Sequence, residues 1–104
     1  MIDTIKKLLG LGPKVDFVEL VKQGAIIVDV RSKGEYAGGH IKGSINIAGD
    51  QLGQHIQKLK AKNKPIITCC ASGMRSASAK NFLKSNGFTE VYNGGAWRSL
   101  QNKI

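Results

Sequence analysis

A chain of 104 residues is long enough for one domain with a single hydrophobic core and too short for two. The 16 lysines and arginines outnumber the 7 aspartates and glutamates, giving a net charge of +9. They form no long run and no nucleic-acid motif, which favours a solvated lysine surface over nucleic-acid binding. No apolar run approaches the ~20 residues that span a bilayer, so no integral membrane segment is expected.

The first predicted element is an amphipathic segment over residues 1–13. Its apolar stripe ends at Gly12-Pro13 and consists of Ile2, Ile5, Leu8 and Leu9. We expect this short helix to dock on its own domain, with a partner protein or a membrane surface as the alternatives. Residues 14–104 are predicted to form the remaining domain.

The next predicted pair is a helix and a buried strand. Asp16 and Glu19 have the spacing of a helix start, and Gly24 is a typical stop. Residues 25–30 then indicate a parallel strand that ends at Asp29 and Arg31. Ligands gather at the carboxyl ends of such strands, so Asp29 is expected to support a functional site at this end of the sheet. It would do so through Arg75 or backbone amides of the loop that follows Cys70, or by a local pairing with Arg31 and Glu35.

Residues 32–61 alternate again between helix and strand. A short helix is predicted over 32–36, a strand over 44–47 and a helix over about 50–61. Gly53 is an unfavourable residue inside the last of these helices. His40 is a candidate supporting residue of the functional site. It would act either as a base beside Cys70 or as a structural imidazole bonded to backbone. His55 is expected to be exposed. The two histidines and two cysteines lack metal-ligand spacing, so no metal site is expected.

The central stretch runs from Pro65 to Ser76. β-branched residues predict a buried strand that delivers Cys70 to a loop, and a helix follows at once. Helix N-termini carry free amides and partial positive charge, which stabilise a thiolate, the nucleophilic form of cysteine. Gly73 permits a tight curl, and Arg75 supplies a permanent positive charge.

The two cysteines are neighbours, Cys69 and Cys70, which is too close for an ordinary disulfide. Free thiols suit a reducing compartment, so a cytoplasmic location is expected. Alternation along the strand predicts that the two side chains face opposite ways. Cys69 is therefore predicted to be a buried hydrophobe, with protection of Cys70 by oxidation chemistry as the alternative.

The chain closes with a helix stop at Asn86-Gly87, a short strand over 90–92, a turn over 93–95, and Trp97 packed on the core. Strands and helices alternate throughout, which predicts an α/β fold with a parallel sheet and helices on both faces.

Three segments in this order resemble the rhodanese-like sulfurtransferase family. The loop Cys70-Ala71-Ser72-Gly73-Met74-Arg75-Ser76 is similar to its Cys-x-Ser-Gly-x-Arg-Ser motif. The segments that flank the loop are similar to its upstream and closing signatures: 29–31 with 35–47, and 87–97. The resemblance implies a three-layer α/β/α fold with a five-stranded parallel sheet in the order 3-2-4-5-1. The glycine pair lies closer to Trp97 than is usual in the family.

The resemblance also implies a function. Cys70 would attack a small anionic sulfur donor such as thiosulfate, carry the sulfur as a persulfide, and pass it to a thiol, cyanide or protein acceptor, without a cofactor. The amides over Ala71, Ser72, Gly73, Met74 and Arg75 would hold the anion, Ser72 would donate a hydrogen bond, and Arg75 would stiffen the loop or attract the donor.

Two other functions remain open at this stage. Counted from Cys69, the spacing to Arg75 is the Cys-x5-Arg of cysteine-dependent phosphatases and some arsenate reductases. Ser72, Gly73 and Ser76 fit the sulfurtransferase motif only when the count starts at Cys70. The second alternative is a binding module without turnover, since fold alone does not settle activity.

Overall fold

A computed structural model describes residues 15–104, so the amphipathic segment predicted over 1–13 lies outside the described residues. Four parallel strands form the sheet. In chain order the elements are α1 Phe17–Lys22, β1 Ile26–Asp29, α2 Lys33–Ala37, β2 Ile45–Asn46, a 3-10 helix Gly49–His55, α3 Ile56–Lys62, β3 Ile66–Cys70, α4 Met74–Ser85, β4 Val91–Ala96 and α5 Trp97–Lys103.

The sheet order is β2-β1-β3-β4. This is the expected order 3-2-4-5-1 without its first strand, so the expectation of five strands is wrong for residues 15–104. The described chain enters α1 at Phe17, where the Asp16 side chain caps the helix by accepting a hydrogen bond from the Glu19 amide at 3.0 Å.

Side-chain alternation divides the core into two layers. One cluster contains Cys70 with Val28, Val30, and residues of the 3-10 helix, α3 and α4. The other contains Cys69 with Ile27, Ile67, and residues of α1 and α5. Helices therefore cover both faces of the sheet, as the alternating pattern predicts.

Three local predictions need correction. The single helix predicted over 50–61 is a 3-10 helix followed by α3, and His55 at their junction is half-buried rather than exposed. The turn predicted over 93–95 is part of β4, which continues to Ala96 with an irregularity opposite residues 68–70 of β3. Helix α5 had no sequence-based prediction.

Trp97 is half-buried and packs against the second cluster, as predicted. It is the first residue of α5, and its ring lies under the guanidinium of Arg31, 4.8 Å from the ring centroid.

Candidate active site

The site forms where β3 ends and α4 begins. All five residues of β3 are buried, and Cys70 is the last of them. After three loop residues the chain enters α4 at Met74, so the loop places the free amides of the first helical turn above the strand end. The predicted strand, loop and helix are therefore present in that order.

The Cys70 sulfur accepts hydrogen bonds from backbone amides. The Gly73 amide nitrogen lies 3.0 Å from Sγ and the Ser76 amide nitrogen 3.4 Å from it. The Ser76 hydroxyl oxygen lies at 3.4 Å as well. The side chain of Cys70 is 0% exposed, whereas Ala71, Ser72, Met74 and Arg75 of the loop are exposed. The sulfur thus lies buried beneath a solvent-facing loop.

These contacts set the acidity of the thiol. Burial by itself would raise the pKa of Cys70, and the contact with the Ser76 hydroxyl, together with hydrogen bonds from the amides of Ser76, Gly73 and Ser72, outweighs it. The pKa of Cys70 is therefore lowered from the ordinary 9.0. Hydrogen bonds to an anion stabilise the ionised form, so the loop favours the thiolate.

Ser76 is itself held by a buried network that the sequence analysis did not assign to the site. Its hydroxyl lies 2.6 Å from Asn93 Oδ1 and 3.1 Å from the Gly73 carbonyl oxygen. Asn93 also donates to that carbonyl at 3.3 Å and accepts from the Gly95 amide at 2.9 Å. Strand β4 thus fixes the hydroxyl that faces the sulfur. Ser76 was visible in the motif, but Asn93 carried no signal.

Gly73 has the backbone conformation that its position predicts. Its φ is +101°, a region that L side chains rarely adopt. A Cβ here would also lie 3.3 Å from Gly95 Cα. A glycine is therefore needed both for the curl of the loop and for its close approach to β4.

Cys69 is in a different environment from Cys70. It is 0% exposed and belongs to the cluster on the opposite face of the sheet. Burial, reinforced by the nearby carboxylate of Asp29, raises the pKa of Cys69 to about 12. Both cysteines are free. The sulfur atom that lies under the loop is therefore that of Cys70 and not that of Cys69.

Arg75 contacts an acidic partner across the site. Its Nη1 lies 2.8 Å from Glu35 Oε1, and its Nη2 lies 2.9 Å from Oε2. Glu35 in turn accepts hydrogen bonds from the Ser32 amide at 3.2 Å and the Ser32 hydroxyl at 3.1 Å, as part of a capping box at the start of α2. Glu35 was not among the site residues predicted from sequence, and its contact with Arg75 spans 40 positions of the chain.

Asp29 and Arg31 form a buried local pair. The Arg31 guanidinium donates to both carboxylate oxygens of Asp29, with Nη2 at 2.7 Å from Oδ2. It also donates to the carbonyl oxygens of Gly39, at 2.7 Å, and Glu35, at 3.3 Å. Of the two interpretations weighed from sequence, the structure has the local pairing of Asp29 with Arg31. The Glu35 carboxylate, expected in the same pairing, is bonded instead to the Arg75 guanidinium.

His40 is exposed and bonded to the backbone. Its Nδ1 lies 2.8 Å from the carbonyl oxygen of Tyr36, and its ring stacks on the Tyr36 ring with centroids 3.8 Å apart. This is the structural imidazole of the two interpretations. The hydrogen bonds of Cys70 come from Gly73 and Ser76, and His40 is not among its partners.

A cleft of about 500 Å³ opens beside the loop, and Arg75 is one of the residues that line it. Its apolar wall includes Val30, Leu52 and Ala79, which also pack in the cluster around Cys70. The volume lies within the range of small-molecule sites. The loop therefore borders a space large enough for a small donor or acceptor.

Two absences apply to the part of the chain that the structure describes. Between residues 15 and 104, His, Cys, Asp and Glu side chains form no group of three or more that suits a metal ion. Over the same residues, no helix is long and apolar enough to cross a membrane.

The comparison with known families decides the membership. The family described as the rhodanese-like domain matches residues 14–99, most of the chain. The chain belongs to this family. The resemblance to this family and the α/β fold class with a parallel sheet are thus confirmed.

Relatives of the rhodanese-like chain include enzymes and proteins of unknown activity. It is 37% identical over 84 residues to the thiosulfate sulfurtransferase GlpE of Pseudomonas fluorescens, covering 77% of this chain and 76% of that protein. It is 41% identical over 81 residues to the uncharacterized protein YqhL of Bacillus subtilis, covering 77% of this chain. The chain spans 64% of the length of YqhL.

Solved structures agree with this membership. The human single-domain sulfurtransferase TSTD1 matches with a TM-score of 0.70 and 30% identity, covering 89% of this chain and 98% of that one. A rhodanese with anions from E. coli matches with a TM-score of 0.67 and 30% identity, covering 72% and 89%. Single-domain sulfurtransferases therefore share the architecture of this rhodanese-like domain.

Proposed function

We propose that this rhodanese-like domain is a sulfurtransferase that moves sulfane sulfur through a persulfide on Cys70. The observation that carries the proposal is the Cys70 sulfur itself, held by the Gly73 and Ser76 amides at a helix N-terminus with a lowered pKa. The relatives named thiosulfate sulfurtransferase support it.

In the first half-reaction, the Cys70 thiolate attacks the outer sulfur of a donor such as thiosulfate. A new S–S bond forms on Cys70, and the S–S bond of thiosulfate breaks, its electron pair leaving with sulfite. The products are a persulfide anion and sulfite, so the total charge is conserved. The amides of Gly73 and Ser76 hold the attacking thiolate before the donor arrives, and the other amides of the loop would stabilise the negative charge as it shifts to the outer sulfur.

In the second half-reaction, a thiophilic acceptor attacks the outer sulfur of the persulfide. Cyanide leaves as thiocyanate, or a thiolate leaves as a persulfide, and Cys70 returns as thiolate. Ping-pong kinetics are expected, because the first product departs before the acceptor reacts. The cycle needs Cys70 as a free thiol, so we propose a reducing compartment, with cytoplasm as the default.

A persulfide measurement tests the proposal. The protein is incubated with thiosulfate, freed of excess donor and analysed by intact mass, with Cys70→Ser and Cys69→Ser in parallel. We expect one added sulfur in the parent protein and in Cys69→Ser, its loss on treatment with cyanide, and none in Cys70→Ser. Absence of the added sulfur with thiosulfate and with an organic persulfide donor would leave a binding module as the better explanation.

The phosphatase alternative is tested in the same preparation. Because Cys69 is buried on the opposite face of the sheet and its pKa is raised to about 12, we expect no hydrolysis of p-nitrophenyl phosphate. Hydrolysis that is abolished in Cys69→Ser but retained in Cys70→Ser would support the Cys69 alternative instead.

A further inference from the structure

The ion pair between Glu35 and Arg75 joins α2 to the start of α4, and Arg75 is one of the residues that line the cleft beside the loop. Two parallel hydrogen bonds, at 2.8 Å and 2.9 Å, join the guanidinium to both carboxylate oxygens. This bidentate geometry is the strong form of an arginine–carboxylate contact. The Arg75 side chain is 48% exposed and that of Glu35 38%, so solutes can reach both groups.

Glu35 is held in place independently of Arg75. The Ser32 amide and hydroxyl both donate to Oε1, which fixes the carboxylate at the third position of α2. The hydrogen bonds from Arg75 and from the Ser32 amide lower the pKa of Glu35 to about 2. The carboxylate is therefore ionised at neutral pH and remains paired with Arg75.

The oxygens of Glu35 occupy two of the N–H groups through which Arg75 would bind an oxyanion. An anionic donor that approaches the loop must displace the carboxylate, share the guanidinium with it, or rely on the loop amides alone. It also approaches a fixed negative charge. Each of these effects grows with the charge on the donor.

We propose that Glu35 is a specificity-determining residue that competes with anionic sulfur donors for Arg75. The carboxylate disfavours dianions such as thiosulfate relative to donors of lower charge, such as organic persulfides. The inference rests on the proposed sulfurtransferase function and deepens it, because it names the class of donor that the site favours.

The variant Glu35→Gln isolates this effect. Glutamine keeps the shape of the side chain and can still accept the hydrogen bond from the Ser32 amide, since glutamine also serves in capping boxes. It removes the charge and one of the two strong acceptors for Arg75. Glu90→Gln is the matched control, because it makes the same change in net charge. Glu90 is exposed and precedes β4, at the amino-terminal end of the strands, whereas Cys70 lies at the carboxyl end of β3.

The first measurement is steady-state thiosulfate:cyanide kinetics. We expect the KM for thiosulfate to fall roughly threefold or more in Glu35→Gln, the size of one nearby surface charge, with little change in kcat. Glu90→Gln should match the parent protein. A higher KM together with a lower kcat would show instead that Glu35 only orders the loop, and would overturn the proposal.

The second measurement does not depend on sulfur transfer. Cys70 is alkylated with iodoacetate, an anion, and with iodoacetamide, its neutral analogue, and the modified residue is identified by peptide mapping. We expect the ratio of the iodoacetate rate to the iodoacetamide rate to rise roughly threefold in Glu35→Gln. In an Arg75→Gln background, the same substitution should raise the ratio less, because the competition for the guanidinium is gone.

The two measurements separate the two proposals. A raised alkylation ratio in a protein that never transfers sulfur would support competition between Glu35 and anions for Arg75 and would overturn the sulfurtransferase proposal. An unchanged ratio in Glu35→Gln would overturn the role of Glu35, whether or not the protein transfers sulfur.

Discussion

Ser76 illustrates how one hydroxyl can set the reactivity of a neighbouring sulfur. Its side chain is fully buried, and its hydroxyl faces Cys70 on one side and Asn93 on the other. Desolvation alone would disfavour the Cys70 thiolate, so the site depends on donors that reverse that effect. Among the contacts that lower the pKa of Cys70, the one with the Ser76 hydroxyl is the largest, ahead of those with the backbone amides.

We therefore predict that Ser76→Ala raises the pKa of Cys70. A lowered pKa keeps the thiolate present at pH values below those of a free thiol, so loss of the contact with the Ser76 hydroxyl moves the midpoint to higher pH. The iodoacetamide rate at Cys70 should fall near neutral pH and approach the parent rate at high pH. Ser78→Ala, an exposed position on the same helix, should leave the profile unchanged. Coincident profiles for the two variants would contradict this role.

Cys69 should be inert in the native protein. Burial raises its pKa to about 12, so its thiolate fraction is negligible near neutral pH. Treatment with iodoacetamide at pH 8 followed by peptide mapping should modify Cys70, and should modify Cys69 only after denaturation. Modification of Cys69 at a comparable rate in the folded protein would show that the two sulfurs are not separated by the sheet.

At the scale of elements, β4 depends on a glycine that packs rather than turns. Gly94 is buried within the strand, and a Cβ at this position would lie 2.8 Å from Leu100 Cδ2 and 2.9 Å from Ile67 Cγ2. It would also lie 2.9 Å from the Thr68 carbonyl oxygen. The strand therefore runs close beneath α5, and the neighbouring Asn93 and Gly95 reach the loop from this position.

We predict that Gly94→Ala destabilises the protein by about 1–3 kcal/mol, the usual range for overpacking of a core. Gly34→Ala is the control, because Gly34 is exposed in α2 and a Cβ there would meet no atom of residues 15–104 within 4 Å. Alanine there should be neutral or should stabilise by up to about 1 kcal/mol. Urea denaturation of both variants gives the two values, and equal stabilities would contradict the close packing of β4.

The sequence predicts the elements better than it predicts the contacts between them. Alternation along β3 was enough to place Cys69 and Cys70 on opposite faces, because that pattern is local. The continuation of β4 through Gly94 was missed, since a glycine pair usually indicates a turn and the fit against α5 is a tertiary property. The contact of Glu35 with Arg75 joins separate elements and has no local pattern.

For the molecule as a whole, Arg31 connects more parts of the structure than its sequence position suggests. Its side chain is 5% exposed, it is paired with the fully buried Asp29, and it donates to backbone carbonyls in α2 and in the loop that follows. Its guanidinium also lies over the ring of Trp97 in α5. The pair therefore joins the end of β1 to α2, to the loop that follows α2 and to α5.

We predict that Arg31→Met destabilises the protein by about 3–5 kcal/mol, because it leaves the carboxylate of Asp29 buried without its partner. This is a large part of the roughly 5–15 kcal/mol typical of a folded domain. Arg98→Met is the control, because Arg98 also lies over the ring of Trp97 but is exposed. It should lower the free energy of unfolding much less. Urea denaturation measures both.

A double variant distinguishes a buried charge from lost packing. Asp29→Leu combined with Arg31→Met removes both charges and should recover much of the stability lost in Arg31→Met, since an apolar pair needs no compensating hydrogen bonds. If the double variant is no more stable than Arg31→Met, the energy lies instead in the bonds from Arg31 to the carbonyls of Glu35 and Gly39. Arg31 would then stabilise the fold as a brace between segments rather than as the partner of a buried carboxylate.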